Sequence, residues 1–173
     1  MMTLAIVTVS DRCSEGKRID KSGKIIQEMF KNTSCKLVSY EVIPDEMDII
    51  ENHLKKLVDE MSVGLILTTG GTGFSKRDIT PEATKKVIER EVPGFGEVMR
   101  LEGFKKTPLA LLSRAIAGLR KNSLIINLPG SSRGVEESLE ILMPVLEHGL
   151  GILRGTAEHP SPSSPRRRGS KSN

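Results

Sequence analysis

The chain has 173 residues, a length that suits one domain with a sizeable core. Its pI is about 9.1, but most of the net charge of +4 comes from residues 156–173, which are rich in Arg and Lys. The nearly neutral remainder argues against a basic groove for nucleic acid. We therefore expect one domain over residues 1–155 and a disordered basic tail over residues 156–173.

Membrane insertion is not expected either. No apolar run approaches the length of a transmembrane helix, and the first one, residues 4–9, is too short for a signal peptide. Cys13 and Cys35 lack a metal-ligand spacing, so free thiols are predicted. These features predict a cytoplasmic protein.

The first half of the chain alternates between strand and helix patterns. Residues 4–9 form a continuous apolar run, typical of a parallel strand that is buried on both faces. A helical repeat follows at residues 25–30, with Asp20 as a possible cap. Residues 36–43 alternate like a half-exposed strand, and residues 49–61 carry the apolar stripe of an amphipathic helix.

The second half continues this alternation, with strands predicted at 64–68 and 123–128 and helices at 80–90, at 95–99 and from residue 135 onwards. Thr80 is the predicted N-cap of the 80–90 helix, with Pro81 at its first position. Residues 109–119 fit either a helix or a strand. Pro144 falls inside the last helix and should kink or split it.

Strands that alternate with helices predict a three-layer α/β/α fold with a mostly parallel sheet. Polar junctions follow three of the strands, at Ser10 and Asp11, at residues 69–78 and at residues 127–132. Because ligands bind at the carboxyl ends of strands in such folds, these junctions should converge on one edge. Asp45 joins them if its strand is parallel to the others.

The junction at residues 69–78 reads T-G-G-T-G-F-S-K-R-D. Glycines let backbone N–H groups approach a phosphate closely, so this loop is predicted to bind an anion. It matches neither the P-loop pattern nor the dinucleotide-binding pattern. A tight strand-to-helix turn without a ligand is the alternative.

Several motifs together resemble the molybdenum-cofactor biosynthesis family. They are T-T-G-G-T-G at 68–73, R-D-I-T-P-E-A at 77–83, V-S-D-R at 9–12, I-P-D at 43–45, P-G-F at 93–95, L-S-R at 112–114 and N-L-P-G-S at 127–131. The resemblance covers residues 3–155 in order, and it extends to the G domain of gephyrin. The N-L-P-G-S motif and the helix after it resemble the Mog branch more than the MoaB branch.

This resemblance implies a nucleotidyltransferase that adenylylates molybdopterin with Mg-ATP and releases pyrophosphate. Asp45 and Asp78 would be the catalytic acids and the Mg²⁺ ligands. The residues implied to bind nucleotide or molybdopterin are Ser10, Asp11, Thr69, Gly70, Gly71, Thr72, Gly73, Arg77, Asn127, Pro129, Gly130 and Ser131. A homotrimer and a downstream molybdate-inserting enzyme are also implied.

Each of these roles has a structural alternative. Asp45 and Asp78 could cap helices, Asp11 could bond to the glycine loop, Ser131 could cap the last helix, and Arg77 could be solvated. Three other functions also compete. They are a MoaB-type activity, nucleotide hydrolysis as in a related competence-damage-type domain, and a non-catalytic molybdopterin-binding module.

Overall fold

A computed structural model describes residues 2–157, so the predicted tail lies outside the described residues from position 158 onwards. The strands are β1 Met2–Val9, β2 Cys35–Ile43, β3 Leu65–Thr69, β4 Arg90–Glu91, β5 Ala117–Arg120 and β6 Ser123–Leu128. They form one sheet in the order β2-β1-β3-β6-β5-β4. The first four in that order are parallel, whereas β5 is antiparallel to both β6 and β4. The mostly parallel sheet is thus confirmed.

Helices cover both faces of the sheet, as the three-layer prediction requires. They are α1 Asp11–Ser14, α2 Ser22–Phe30, α3 Met47–Asp59, α4 Thr80–Val87, α5 Pro93–Phe104 and α6 Ser132–Leu153, with a 3₁₀ turn at Pro108–Leu112. Alternate strand residues face opposite layers, so Leu4 and Ile6 pack with α2, α5 and α6, while Ala5 and Val7 pack with α3 and α4. Burial on both faces explains why these strands read as continuous apolar runs.

The structure corrects the end of the helix predicted at 80–90 and resolves the ambiguous stretch at 109–119. This helix ends at Val87, because backbone amides from Glu89 onwards bond to strand β5 instead of to the helix. Glu89 N donates to Leu119 O at 2.8 Å, and Val92 N donates to Ala117 O at 2.8 Å, which creates the short strand β4. The ambiguous stretch at 109–119 contains both elements, since the 3₁₀ turn precedes β5.

Pro144 does not split the last helix, which runs without a break from Ser132 to Leu153. The proline lies on the exposed side of α6, where the carbonyl of Glu140 can bond to water instead of an amide. Among the described helices, none combines the length and apolarity needed to cross a bilayer.

The side chain of Asn127 is completely buried in β6 and ties three elements together. Its Nδ2 donates to the hydroxyls of Thr68 at 3.0 Å and Thr84 at 2.9 Å. Its Oδ1 accepts from Ile116 N at 3.4 Å. Every hydrogen-bonding group of this amide is therefore used within the protein.

Replacing Asn127 by Ala should lower the free energy of unfolding by about 1–3 kcal/mol, because buried partners lose their hydrogen bonds. Asn122→Ala, in the exposed turn between β5 and β6, is the matched control. Urea denaturation of both variants measures the difference. Equal stabilities for the two variants would contradict this structural role.

Candidate functional site

The sheet has a topological switch point between β1 and β3. The chain leaves β1 towards β2 on one side, and the strands after it lie on the other side, which opens a crevice at the carboxyl ends of β1 and β3. A cleft of about 320 Å³ lies there and includes Ser10, Gly70, Gly71 and Ser131 in its lining. The strand with Asp45 at its end is parallel to β1, so the predicted convergence of junctions occurs.

Two glycines shape the loop after β3. Gly70 and Gly71 have φ angles of +99° and +64°, which disfavour residues with a side chain. A side chain at Gly70 would collide with the carbonyl of Val9, and one at Gly71 would collide with the hydroxyl of Thr80. The loop therefore packs directly against the end of β1 and the start of α4, and bare backbone faces the cleft.

Asp45 is bonded to the end of β1. Its Oδ2 accepts a hydrogen bond from Asp11 N at 2.8 Å, and Asp45 N donates to Asp11 Oδ1 at 2.9 Å. This reciprocal pair joins the carboxyl ends of β1 and β2. Asp45 does not cap its own helix, since the cap position of α3 is Glu46 and no side chain bonds there.

Arg77 closes the glycine loop over this pair. Its Nε and Nη2 donate to the Asp11 carboxylate at 3.0 and 2.9 Å, and Nη2 also lies 2.8 Å from Glu46 Oε1. The bond from Arg77 is the main cause that lowers the pKa of Asp11. Arg77 is thus paired with acids in this structure. Asp11 bonds to the glycine loop through Arg77, which is the structural role given above as the alternative to ligand binding.

Asp78 lies at the other end of the loop. Its Oδ2 accepts from Ser75 N at 2.8 Å, and a side chain built on Gly73 would come within 2.9 Å of the same oxygen. A side chain built on Gly71 would come within 3.1 Å of Asp45 Oδ1. The two acids therefore flank the glycine loop, and neither accepts a bond from the amides of α4.

The charges of this cluster favour a cation. Burial is the main cause that raises the pKa of Asp45, and the neighbouring charges of Asp11 and Asp78 raise it further. Mg²⁺ is usually held by one or two carboxylates together with substrate phosphates. Asp45 and Asp78 fit that mode, and within residues 2–157 no group of three or more His, Cys, Asp or Glu forms a cage for a metal.

The second predicted loop packs against the first. Thr69 Oγ1 donates to Pro129 O at 2.7 Å, and a side chain on Gly130 would come within 3.2 Å of the Cα atom of Gly70. Ser131 Oγ accepts from Gly134 N at 3.1 Å and therefore caps α6. Ser131 also lines the cleft, whereas the side chain of Asn127 is buried behind it.

The predicted cap at Thr80 is wrong. Thr80 is the first residue of α4, and the cap position is Ile79, whose side chain makes no capping bond. Packing of the glycine loop buries the Thr80 hydroxyl, which has no hydrogen-bond partner in the described part of the chain. Asp20, by contrast, accepts a bond from Gly23 N at 2.9 Å and so satisfies an amide in the first turn of α2.

Sequence reasoning missed several groups at the cleft. Arg18 and Lys21 line it beside Asp20, whose carboxylate accepts bonds from Thr8 Oγ1 at 2.5 Å and Tyr40 Oη at 2.6 Å. Burial raises the pKa of Tyr40, and the bond to Asp20 adds to this effect. Only the basic character of the stretch after β1 could have indicated these groups. The short helix α1, capped by Ser10 Oγ, was not predicted either.

A second cavity of about 300 Å³ adjoins the cleft. It lies between α5, the 3₁₀ turn and α6, and it includes Met99, Leu109 and Ile141 in its lining. Pro129 and Ser131 also line it, so the second loop separates two adjacent spaces. The arrangement offers a polar cleft beside backbone amides and a more apolar space next to it.

The site is thus a crevice at the switch point of an α/β domain, lined by glycine backbone and flanked by two acids. Crevices of this kind are where open α/β sheets bind their ligands. The chain belongs to the family described as "Probable molybdopterin binding domain", whose model matches residues 5–148. This assignment confirms the family that the sequence motifs resembled.

Similar proteins of known name support this family assignment. A molybdopterin adenylyltransferase of Helicobacter pylori is 46% identical over 154 residues, which is 88% of this chain and 88% of that protein. The molybdopterin adenylyltransferase of Escherichia coli is 46% identical over 143 residues, covering 80% of this chain and 72% of that protein. Both of these relatives are thus named as adenylyltransferases, a nucleotidyltransferase activity.

Solved structures confirm the fold. The molybdopterin biosynthesis enzyme MoaB from Thermus thermophilus has a TM-score of 0.86 and 46% identity, covering 91% of this chain and 99% of that one. The Mog protein from Mycobacterium ulcerans has a TM-score of 0.83 and 35% identity, covering 88% of this chain and 99% of that one. Both branches of the family thus share this architecture.

Asp45→Asn should stabilise the protein at pH 7. Because the pKa of Asp45 is raised in the folded state, its ionised form opposes folding, and Asn keeps an oxygen for the bond from Asp11 N. The gain should disappear below about pH 4, where an ordinary Asp is already protonated in the unfolded chain. Urea denaturation of both proteins between about pH 3 and 8 measures it, and a gain that does not vary with pH would contradict this cause.

Proposed function

We propose that this protein transfers AMP from Mg-ATP to molybdopterin, giving adenylyl-molybdopterin and pyrophosphate. The observation that carries the proposal is the pair of acids, Asp45 and Asp78, on either side of a glycine loop at the switch point. The names of the relatives support the same activity. Reactants of this kind need alignment and charge neutralisation more than a protein nucleophile.

In the proposed reaction, an oxygen of the terminal phosphate of molybdopterin attacks the α-phosphorus of ATP. The bond from that phosphorus to the pyrophosphate oxygen breaks, and pyrophosphate leaves. Asp78 and Asp45 would hold Mg²⁺, which would neutralise part of the phosphate charge. The amides of residues 70–73 bind the triphosphate.

The groups on the other side of the cleft hold the second reactant in this proposal. Molybdopterin would enter the part of the cleft that is lined by Ser10, Ser131 and the backbone of Gly130. The buried side chain of Asn127 supports this part from the interior. Arg77 exchanges its acidic partners for phosphate oxygens when the nucleotide binds, because guanidinium groups pair well with phosphates. Asp11 then keeps its bonds to Asp45.

A homotrimer in the cytoplasm and a molybdate-inserting enzyme downstream are part of the proposal. Exposed apolar side chains on α5 and the 3₁₀ turn support contact between copies, since Leu101 is 62% exposed and Leu109 is 70% exposed. A MoaB-type activity is the second candidate, because the MoaB structure is as identical to this chain as the adenylyltransferases are.

Incubation of the protein with molybdopterin and Mg-ATP tests the proposal. Adenylyl-molybdopterin and pyrophosphate should appear in equal amounts, and Asp78→Asn should lower the rate by about 100-fold or more, because it removes a charge that holds the metal. Asp48→Asn, at an exposed position in the first turn of α3, is the matched control and should keep full activity.

Two outcomes would oppose the proposal. Hydrolysis of ATP at the same rate without the pterin would favour a nucleotide hydrolase. Binding of molybdopterin with no product in the presence of Mg-ATP would favour the non-catalytic module or a MoaB-type protein. Melting curves for Asp78→Asn establish that the variant remains folded.

A further inference from the structure

Arg114 bonds to the middle of the glycine loop and to its last residue. Its backbone N donates to Thr72 O at 2.9 Å, and its Nε donates to Gly73 O at 2.7 Å. Its Nη2 donates to the carbonyl of Asp78, and its Nη1 pairs with Glu82 on α4. A single residue thus connects the glycines, the acid and the helix that follows them.

These contacts matter because of how a phosphate-binding loop is built. When N–H groups of the loop point towards an anion, the carbonyl groups of neighbouring peptides point away from it and need donors of their own. Arg114 supplies those donors to Gly73 and Asp78. A guanidinium group suits this task, because it carries several N–H donors in a rigid plane and remains charged at all relevant pH values.

The segment that carries Arg114 is itself anchored on both sides. Arg100 on α5 donates from Nη1 to Ala115 O at 2.9 Å and to Ser113 O at 3.3 Å. Asn127 N donates to Ile116 O at 2.9 Å, which joins the segment to β6. The guanidinium of Arg114 therefore extends from a fixed support to the loop.

We propose that Arg114 is a positioning residue for the nucleotide. It sets the orientation of the peptides at residues 72–78 without touching the substrate, and so determines where the amides and Asp78 meet the triphosphate. The inference rests on the proposed function only in taking a nucleotide as the ligand of this loop. The contacts of Arg114 with the loop do not depend on which ligand it binds.

Arg120 is a matched control for this arginine. It also bonds a carboxylate and a backbone carbonyl, with Nε and Nη2 on Asp59 at 3.2 and 2.8 Å and Nη1 on Val87 O at 3.2 Å. It lies at the opposite end of β6 from the site, at the turn between β5 and β6. Comparison of Arg114→Ala with Arg120→Ala separates the general effect of losing an arginine that bonds distant elements from the specific effect of losing the bonds to the glycine loop.

Hydrogen exchange of the free protein gives the first readout and needs no substrate. Arg114→Ala should raise the exchange rate of amides at residues 72–78 by about tenfold or more, because the carbonyls lose their donors. Arg120→Ala should leave that segment unchanged. Equal exchange of residues 72–78 in the two variants would overturn the inference.

Nucleotide binding and turnover give the second readout. Arg114→Ala should weaken binding of a non-hydrolysable ATP analogue with Mg²⁺ by about tenfold and lower kcat by about 100-fold, because misplacement of the loop spoils alignment. The KM for molybdopterin should change by less than about threefold, so that of the two affinities only that for the nucleotide falls. A partial loss of folded enzyme would lower kcat and leave both affinities unchanged. Added guanidinium at millimolar concentration should restore part of the activity of Arg114→Ala but not raise that of the wild type.

The outcomes distinguish this inference from the proposed function. If the wild type makes no adenylyl-molybdopterin, the proposed function fails, while hydrogen exchange and analogue binding still decide the role of Arg114. If Arg114→Ala does not fold, Arg114→Lys replaces it, since one ammonium group cannot bond both loop carbonyls and Glu82. Wild-type exchange and analogue binding in Arg114→Lys would overturn the inference.

Discussion

The site depends on the close approach of Gly70 to the end of β1. Only a residue without a side chain can sit against the carbonyl of Val9 at a φ of +99°. This contact brings the loop after β3 across the crevice, next to the loop that contains Gly130. Two junctions that are about 60 residues apart in the chain thereby become the walls of one cleft.

The same crowding brings together like charges. Asp11 and Asp78 lie close enough to Asp45 for both of their charges to raise its pKa, and Arg77 offsets part of this repulsion. An arrangement that opposes its own ionisation is common at sites that bind a cation or do chemistry. The ionised Asp45 thus lowers the stability of the free protein, and the proposed binding of Mg-ATP would relieve this repulsion.

The sequence was sufficient to predict the strands at the centre of the sheet and the convergence of their ends. β1, β3 and β6 are buried on both faces, so their apolar runs are continuous and easily recognised. The two-residue strand β4 and the four-residue helix α1 were missed, since β4 is formed by bonds to the distant strand β5 and α1 is a single turn capped by Ser10. A pattern this short carries too little periodicity to signal an element of its own.

For the site residues too, the sequence predicted less than the structure shows. Motifs indicated which residues gather at the crevice, but not whether each would face a ligand or support its neighbours. Asn127 is in a motif and is buried within a network of hydrogen bonds, whereas Arg114 reaches the loop from 36 positions away in the chain. The partner of a polar side chain is fixed by contacts between distant elements, and a single sequence does not encode those contacts locally. The L-S-R motif at 112–114 thus marks Arg114 in the sequence, but its supporting role is recognisable only when the carbonyls that it bonds are in place.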